Sequence, residues 1–312
     1  MIRTTASLIA LGLAAPAFAA PVIDGTVDAM YGAPLAVQTV ETQFGDNFSE
    51  LNAAYATVAN DRLYVTLTGN IETNFNKISI FIDSKAGGEN TLDGSLAYDF
   101  GDVASNFGGL TFDAGFEADY HMFARTGGGN FEVDIVDRAN SAPGAELGNF
   151  GSSAGNAGQL GTIAAIGGTA TTGADAGTFL TQDVLFAMDN SNVAGVLGGT
   201  AAADPVAAAA VTTGLEFSIA LADLGTFTAG DVIKIHAAVG NGDNNFHSNQ
   251  ILGGLPAPQG NLGGDGGGGF TGNLAGIDFN QYAGDQFFTV VVPEPASAAL
   301  LGLAGLALTR RR

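Results

Sequence analysis

In RLYVTLTG, residues 62–69, every second side chain is apolar, so Leu63, Val65 and Leu67 fall on one face and Tyr64, Thr66 and Thr68 on the other. A period of two belongs to a strand; a helix brings apolar residues back every three or four positions. KISIFID repeats the pattern with Ile78, Ile80 and Ile82, and LEFSIAL with Leu215, Phe217, Ile219 and Leu221. DVIKIHAAV sets Ile233, Ile235 and Ala237 against Lys234 and His236. Each run predicts a half-buried antiparallel strand with one face inward and one face wet.

Further strands are expected near residues 22–23, 35–40, 54–59, 119–125, 131–136, 183–187 and 286–292. ANDR (59–62) and RTGGGNF (125–131) read as hairpin connections, and ALADLG (220–225) as one helical turn closed by glycine. About eleven short strands separated by turn signals predict an all-β protein, an antiparallel, jelly-roll-like β-sandwich. The 47 glycines argue against long helices, and the 21 phenylalanines can fill a core. Residues 141–177 and 252–276 are rich in glycine and poor in large apolar groups, which predicts surface loops. The expected organisation is one sandwich over residues 20–290, with the first of these stretches inserted into it.

The formal charge of −21 repels phosphate backbones and excludes nucleic acid as a partner. No cysteine is present, so neither disulfides nor thiol chemistry is available. At the start, Arg3, an apolar run over residues 8–15 and the small residues Ala17 and Ala19 form a secretory signal, residues 1–19, with Ala20 as the expected first mature residue. Passage through a secretion translocon follows from it.

The other end, residues 291–312, has three parts in order: Val292-Pro293-Glu294-Pro295, an uncharged run over residues 296–308, and Arg310, Arg311 and Arg312. As a short hydrophobic helix the run would span only ~20 Å of a ~30 Å hydrocarbon core, a marginal, transient membrane anchor. The arginines would stay on the cytoplasmic side, leaving the two prolines extended at the outer face. This order closely resembles the PEP-CTERM sorting signal of Gram-negative bacteria. The resemblance implies recognition and processing by an exosortase-type enzyme, in organisms that make extracellular polysaccharide, and a destination at the cell surface or in the extracellular matrix.

VIDGTVDAMYG, NAAYATVANDRLYVTLTGNI, FIDSKAGGEN, GLEFSIALADLG, GDVIKIHAAV and SNQILGGLPAP follow one another in an order that resembles a family-nine carbohydrate-binding-module-like, or DOMON-like, β-sandwich. That resemblance implies a secreted sandwich that associates with glycan, sometimes with structural calcium. Tryptophan is absent, so sugar stacking falls to tyrosines, with Tyr64 and Tyr120 as the candidates. For calcium, which takes hard oxygen ligands, the candidate loops supply Asp83 and Glu89, and Asn241, Asp243 and Asn245. Neither loop has EF-hand spacing.

His121, His236 and His247 have no zinc-site spacing and read as ordinary strand or loop residues. FEVDIVD places Glu132 and Asp134 on one strand face, expected to be solvated. There is no Gly-x-Ser-x-Gly elbow and no phosphate-cradling loop. The expected function is therefore non-catalytic: weak glycan association, a purely structural role in the matrix or, third, action on polysaccharide through an acid pair.

Overall fold

A computed structural model of the chain describes residues 19–96, 99, 102–127, 130–138, 146–149, 166–170 and 179–294. Two antiparallel sheets face each other. The first runs β1 (Ala36–Val37), β2 (Glu50–Ala59), β3 (Arg62–Asn70), β10 (Gly214–Ala220), β9 (Val184–Met188) and β8 (Ile166–Ala170) in spatial order. The second runs β12 (His247–Leu252), β11 (Val232–Gly240), β4 (Asn74–Asp83), β5 (Tyr120–Gly127), β6 (Asn130–Asp137) and β7 (Glu146–Asn149), with β13 (Phe288–Val291) pairing the start of β11. Helix among the described residues is limited to α1 (Pro205–Ala209), α2 (Leu221–Leu224), closed by Gly225, and two single 3-10 turns at Ala29–Tyr31 and Phe279–Gln281. The expected all-β sandwich is present.

The alternating apolar residues do what their spacing requires. Leu63, Val65 and Leu67 of β3 and Leu215, Phe217 and Ile219 of β10 meet Ile78, Ile80 and Ile82 of β4 and Ile233 and Ile235 of β11 in one core. Burying each such side chain contributes about 1.5–3 kcal/mol, so this seam holds the sheets together. Turn chemistry sets the register: Asn60 and Asp61 take φ of 49° and 59° between β2 and β3, a left-handed pair that Asn and Asp tolerate. At the far end of that hairpin the pairing shifts between Leu51 and Ala53. Opposite lies Gly69, with φ of 141° and the Glu50 carbonyl in the way of any Cβ.

The expectation of one wet face per sheet is corrected, because both outer faces are covered. Over the first sheet, the segment from Ala20 to Val37 packs on Tyr55 and Tyr64 through Tyr31, Ile23 and Val27. Buried Glu216 pins it by accepting the backbone N–H groups of Asp24 (2.9 Å) and Gly25 (3.0 Å) and the Tyr31 hydroxyl (2.7 Å). Over the second sheet, the β4–β5 connection and the chain after β12 build a second apolar core on Phe81, Ala238 and Ile251.

Residues 252–276 are accordingly not only surface loop, since Leu255, Leu262 and Leu274 are buried in that second core. The stretch 141–177 is not loop throughout either: it contributes β7, paired to β6, and β8, paired to β9. The remainder of that stretch, the signal segment through Phe18, including Ala17, and everything from Pro295 through Arg310, Arg311 and Arg312 lie outside the described residues. Two local differences complete the comparison. Residues 22–23 form no strand and Val22 is exposed, whereas the polar run HSNQIL, absent from the expected strands, is β12.

Candidate functional site

A cleft of about 460 Å³ opens where β4 ends and β11 begins, lined by Asp83, Lys85, Glu117, Phe227, Asp231 and Lys234 among others. The antiparallel register sets Lys234 directly opposite Asp83. Its ammonium group lies 2.8 Å from Asp83 Oδ2 and also donates to the Gly115 carbonyl. Asp83 accepts the Glu117 N–H as well, at 3.1 Å.

Asp119 Oδ2, outside the lining, accepts the N–H groups of Ser84 (2.7 Å) and Lys85 (2.8 Å) and fixes the turn that follows β4. Desolvation is the main influence on Asp119 and pushes its carboxyl upward. Lys85 Nζ donates to the Tyr120 hydroxyl at 2.7 Å, which donates in turn to the Asp223 carbonyl at 3.0 Å. Ser84 Oγ donates to the Leu224 carbonyl at 2.8 Å and lies 3.4 Å from Asp119 Oδ2. The cleft presents mixed charge already engaged in ion pairs and turns, and only the exposed Glu117 carboxylate looks outward.

The last described residues pair beside this cleft, against Asp231 and Val232 of its lining. Val291 pairs with Val232, the Val292 N–H donates to the Asp231 carbonyl (2.8 Å), and the Gly230 N–H donates to the Val292 carbonyl (2.9 Å). Val292 is 7% exposed and belongs to the inter-sheet core, whereas Pro293 and Glu294 are exposed. Ala19 and Ala20, beside the expected signal cleavage point, are exposed and partly exposed, and Pro21 is buried.

The remaining expected site residues are dispersed. Asp83 is neutralised by Lys234 and Glu89 by Arg138, whose Nε lies 2.8 Å from Glu89 Oε2. A cation at either carboxylate would have to displace a positive side chain. Asn241 Oδ1 accepts the N–H groups of Asn245 (2.9 Å) and Phe246 (3.1 Å), and its Nδ2 donates to Asn245 Oδ1 (2.7 Å), so this loop closes on itself. Asp243 is exposed and offers its carbonyl to Asn106. Among the described residues no three His, Asp or Glu side chains are grouped to hold a metal ion. The candidate calcium residues are thus engaged in turns and ion pairs, and Glu89 Oε1 is buried without a hydrogen-bond partner among the described residues.

The candidate sugar platforms are corrected too. Tyr64 is 5% exposed beneath the N-terminal segment and Tyr120 is 2% exposed in the main core, so neither offers a ring face to solvent. Glu132 and Asp134 do not form a free acid pair on a wet face: both hold Arg125, and Asp134 is wholly buried.

Two features went unseen in the sequence. All three histidines are buried in the second core's layer, and Arg138 is fully buried. The available signal was aromatic: with Ile80, Ile82, Tyr120 and Met122 facing inward, Phe81 and Phe123 must face outward, and outward phenylalanines call for a cover. Comparison with protein-family models, with curated proteins and with solved structures finds no match to this chain.

Proposed function

We propose that this chain is an exported, non-catalytic β-sandwich, presented at the outer face of a membrane to an exosortase-type processing enzyme and serving at the cell surface or in the extracellular matrix. One observation carries this reading: the motif Val292-Pro293-Glu294-Pro295 begins on the last core residue among the described residues. Backbone hydrogen bonds hold Val292 in the fold, and the next two residues are exposed. A processing enzyme can reach Pro293 and Glu294 without unfolding a strand. A structural role is favoured over glycan association by the burial of Tyr64 and Tyr120 and by the ion pairing within the cleft.

The test is a triple substitution, Pro293→Ala with Glu294→Ala and Pro295→Ala, expressed in the native host. The variant is expected to fold as the parent does, since Pro293 and Glu294 lie outside the core, and to remain membrane-associated at the mass of the unprocessed tail. Processing and release equal to those of the parent chain would remove the sorting reading.

A further inference from the structure

Every histidine in this sequence, His121 on β5, His236 on β11 and His247 on β12, lies on the outer face of the second sheet, and they are 0, 1 and 3% exposed. Phenylalanines surround them. His121 stacks on Phe81 with centroids 4.0 Å apart and meets Phe107 edge-on at 5.0 Å. His236 lies 4.9 Å from Phe279 and 5.1 Å from Phe112, and His247 lies 5.9 Å from Phe279 and 6.5 Å from His236.

Hydrogen bonding does not account for imidazoles in this layer. Neither ring nitrogen of His121 has a partner among the described residues, and neither does His236 Nε2. His236 Nδ1 meets the Gln286 carbonyl at 2.6 Å and His247 Nδ1 the Ser248 carbonyl at 2.9 Å. Leucine or phenylalanine would fill such positions without a desolvation cost.

The layer is also separable. Its upper side comes from the β4–β5 connection, through Phe107, Phe112 and Phe116, and from the chain after β12, through Leu262, Leu274 and Phe279. The core between the two sheets contains no histidine among its described members.

We propose that residues 84–96, 102–118 and 253–287 form an acid-released cover, held down on the second sheet only while three imidazoles stay dry and uncharged, over a sandwich that stays folded when the cover lifts.

The surrounding charges act in both directions. Arg138 after β6, buried Lys77 of β4 and His236 place positive charge near His121 when protonated, and His247 does so near His236. From the cover, Glu89 is tied to Arg138, and Asp113 accepts the Gln286 N–H behind His236. Asp119 caps residues 84–85, and Tyr282, which packs on Phe279, donates to the Gly266 carbonyl beside Asp265. Desolvation pushes Glu89, Asp113 and Asp119 upward, so acid neutralises them in place and they oppose release. The histidine shifts are larger. Burial drives His236 down to about 3, His247 to about 4, and His121 well below the ordinary 6.5. A depressed folded value means that the cover's stability is intact above about 6.5 and is lost as pH falls toward those folded values. Between pH 7 and pH 5, each of His236 and His247 raises the open-to-closed ratio about 20- to 25-fold.

Hydrogen–deuterium exchange of the full folded chain at pH 7 and pH 5, corrected for the intrinsic pH dependence of exchange, decides the matter. Peptides from residues 84–96, 102–118 and 253–287 should exchange on the order of 100-fold faster at pH 5, while those from β3 and β10 stay within about threefold. The double variant His236→Gln, His247→Gln should lose most of that acceleration. If the double variant does not fold, the parent's exchange pattern alone gives the answer. Uniform acceleration over the whole chain, or none in the cover, would overturn the proposal.

Discussion

Replacing Arg138 with alanine is expected to destabilise the protein by about 3–5 kcal/mol, the range for breaking one partner out of a buried ion pair. Arg138 is 0% exposed and closes the end of β6 against the β4–β5 connection in three places. Its Nε pairs with Glu89, its Nη1 donates to the Val103 carbonyl and its Nη2 to the Asp93 carbonyl, both at 3.1 Å, and its backbone N–H donates to the Asp119 carbonyl at 2.7 Å. Alanine would leave the Glu89 carboxylate, already pushed upward by burial, without its cation, and two carbonyls without donors. Arg138→Lys should recover only part of the loss, because one ammonium group cannot reproduce a planar fork aimed at three acceptors. Urea denaturation at pH 7 measures this. A loss below about 1 kcal/mol would show that the guanidinium does not anchor the connection.

The second large effect has the opposite sign. His121→Phe is expected to stabilise the protein at pH 7 by about 1–3 kcal/mol, the cost of keeping an unsatisfied polar group dry, because the ring already stacks on Phe81 and bonds to nothing among the described residues. The gain should grow on acidification. Desolvation first, and then the charges of Arg138 and Lys77, hold His121 well below its usual value, whereas the unfolded chain takes up a proton near 6.5. Stability from this group is thus complete above 6.5 and declines by about 1.4 kcal/mol per pH unit below it, so at pH 5 the variant should lead by about 2 kcal/mol more. Glu50, pushed up to about 7 by burial, works in the other sense, with stability lost as pH rises through that range. The difference between variant and parent therefore isolates the imidazole, which the parent's own pH curve does not. Thermal unfolding of both proteins at pH 7 and pH 5 provides the measurement, and a destabilised variant with an unchanged pH slope would contradict this account of His121.

The inner faces of the strands were legible because their cause is local. Alternation at Leu63, Val65 and Leu67, or at Ile78, Ile80 and Ile82, requires no knowledge of a partner, and neither does an Asn60–Asp61 turn. The outer faces were not legible, since their burial depends on which distant segment folds back over them. Glu216 receives Asp24 and Gly25 from the other end of the chain, and Phe81 is roofed by Phe107 and Phe112.

The pairing of the candidate ligand residues was not legible for the same reason. Asp83 is a plausible calcium ligand until Lys234 arrives opposite it in the sheet, and Glu89 until Arg138 does. In β12 the polar letters conceal a strand because their hydrogen bonds are long-range. Asn249 Nδ2 donates to the Glu41 and Gln259 carbonyls and Ser248 Oγ to the Val239 carbonyl, so residues that read as solvated are among the most buried. The sorting motif is of another kind. As proposed, it acts as a short peptide, and the structure bears on it only through the burial of Val292 and the exposure of Pro293 and Glu294.

The most direct test of that central claim is the intact mass of the protein isolated from its native envelope, with sequencing of both terminal peptides. The account predicts a chain that begins at Ala20 and has been cut or modified at the Pro293-Glu294-Pro295 motif, with Arg310, Arg311 and Arg312 gone. A chain recovered from the cytosol with Met1 and Arg312 both in place would contradict it.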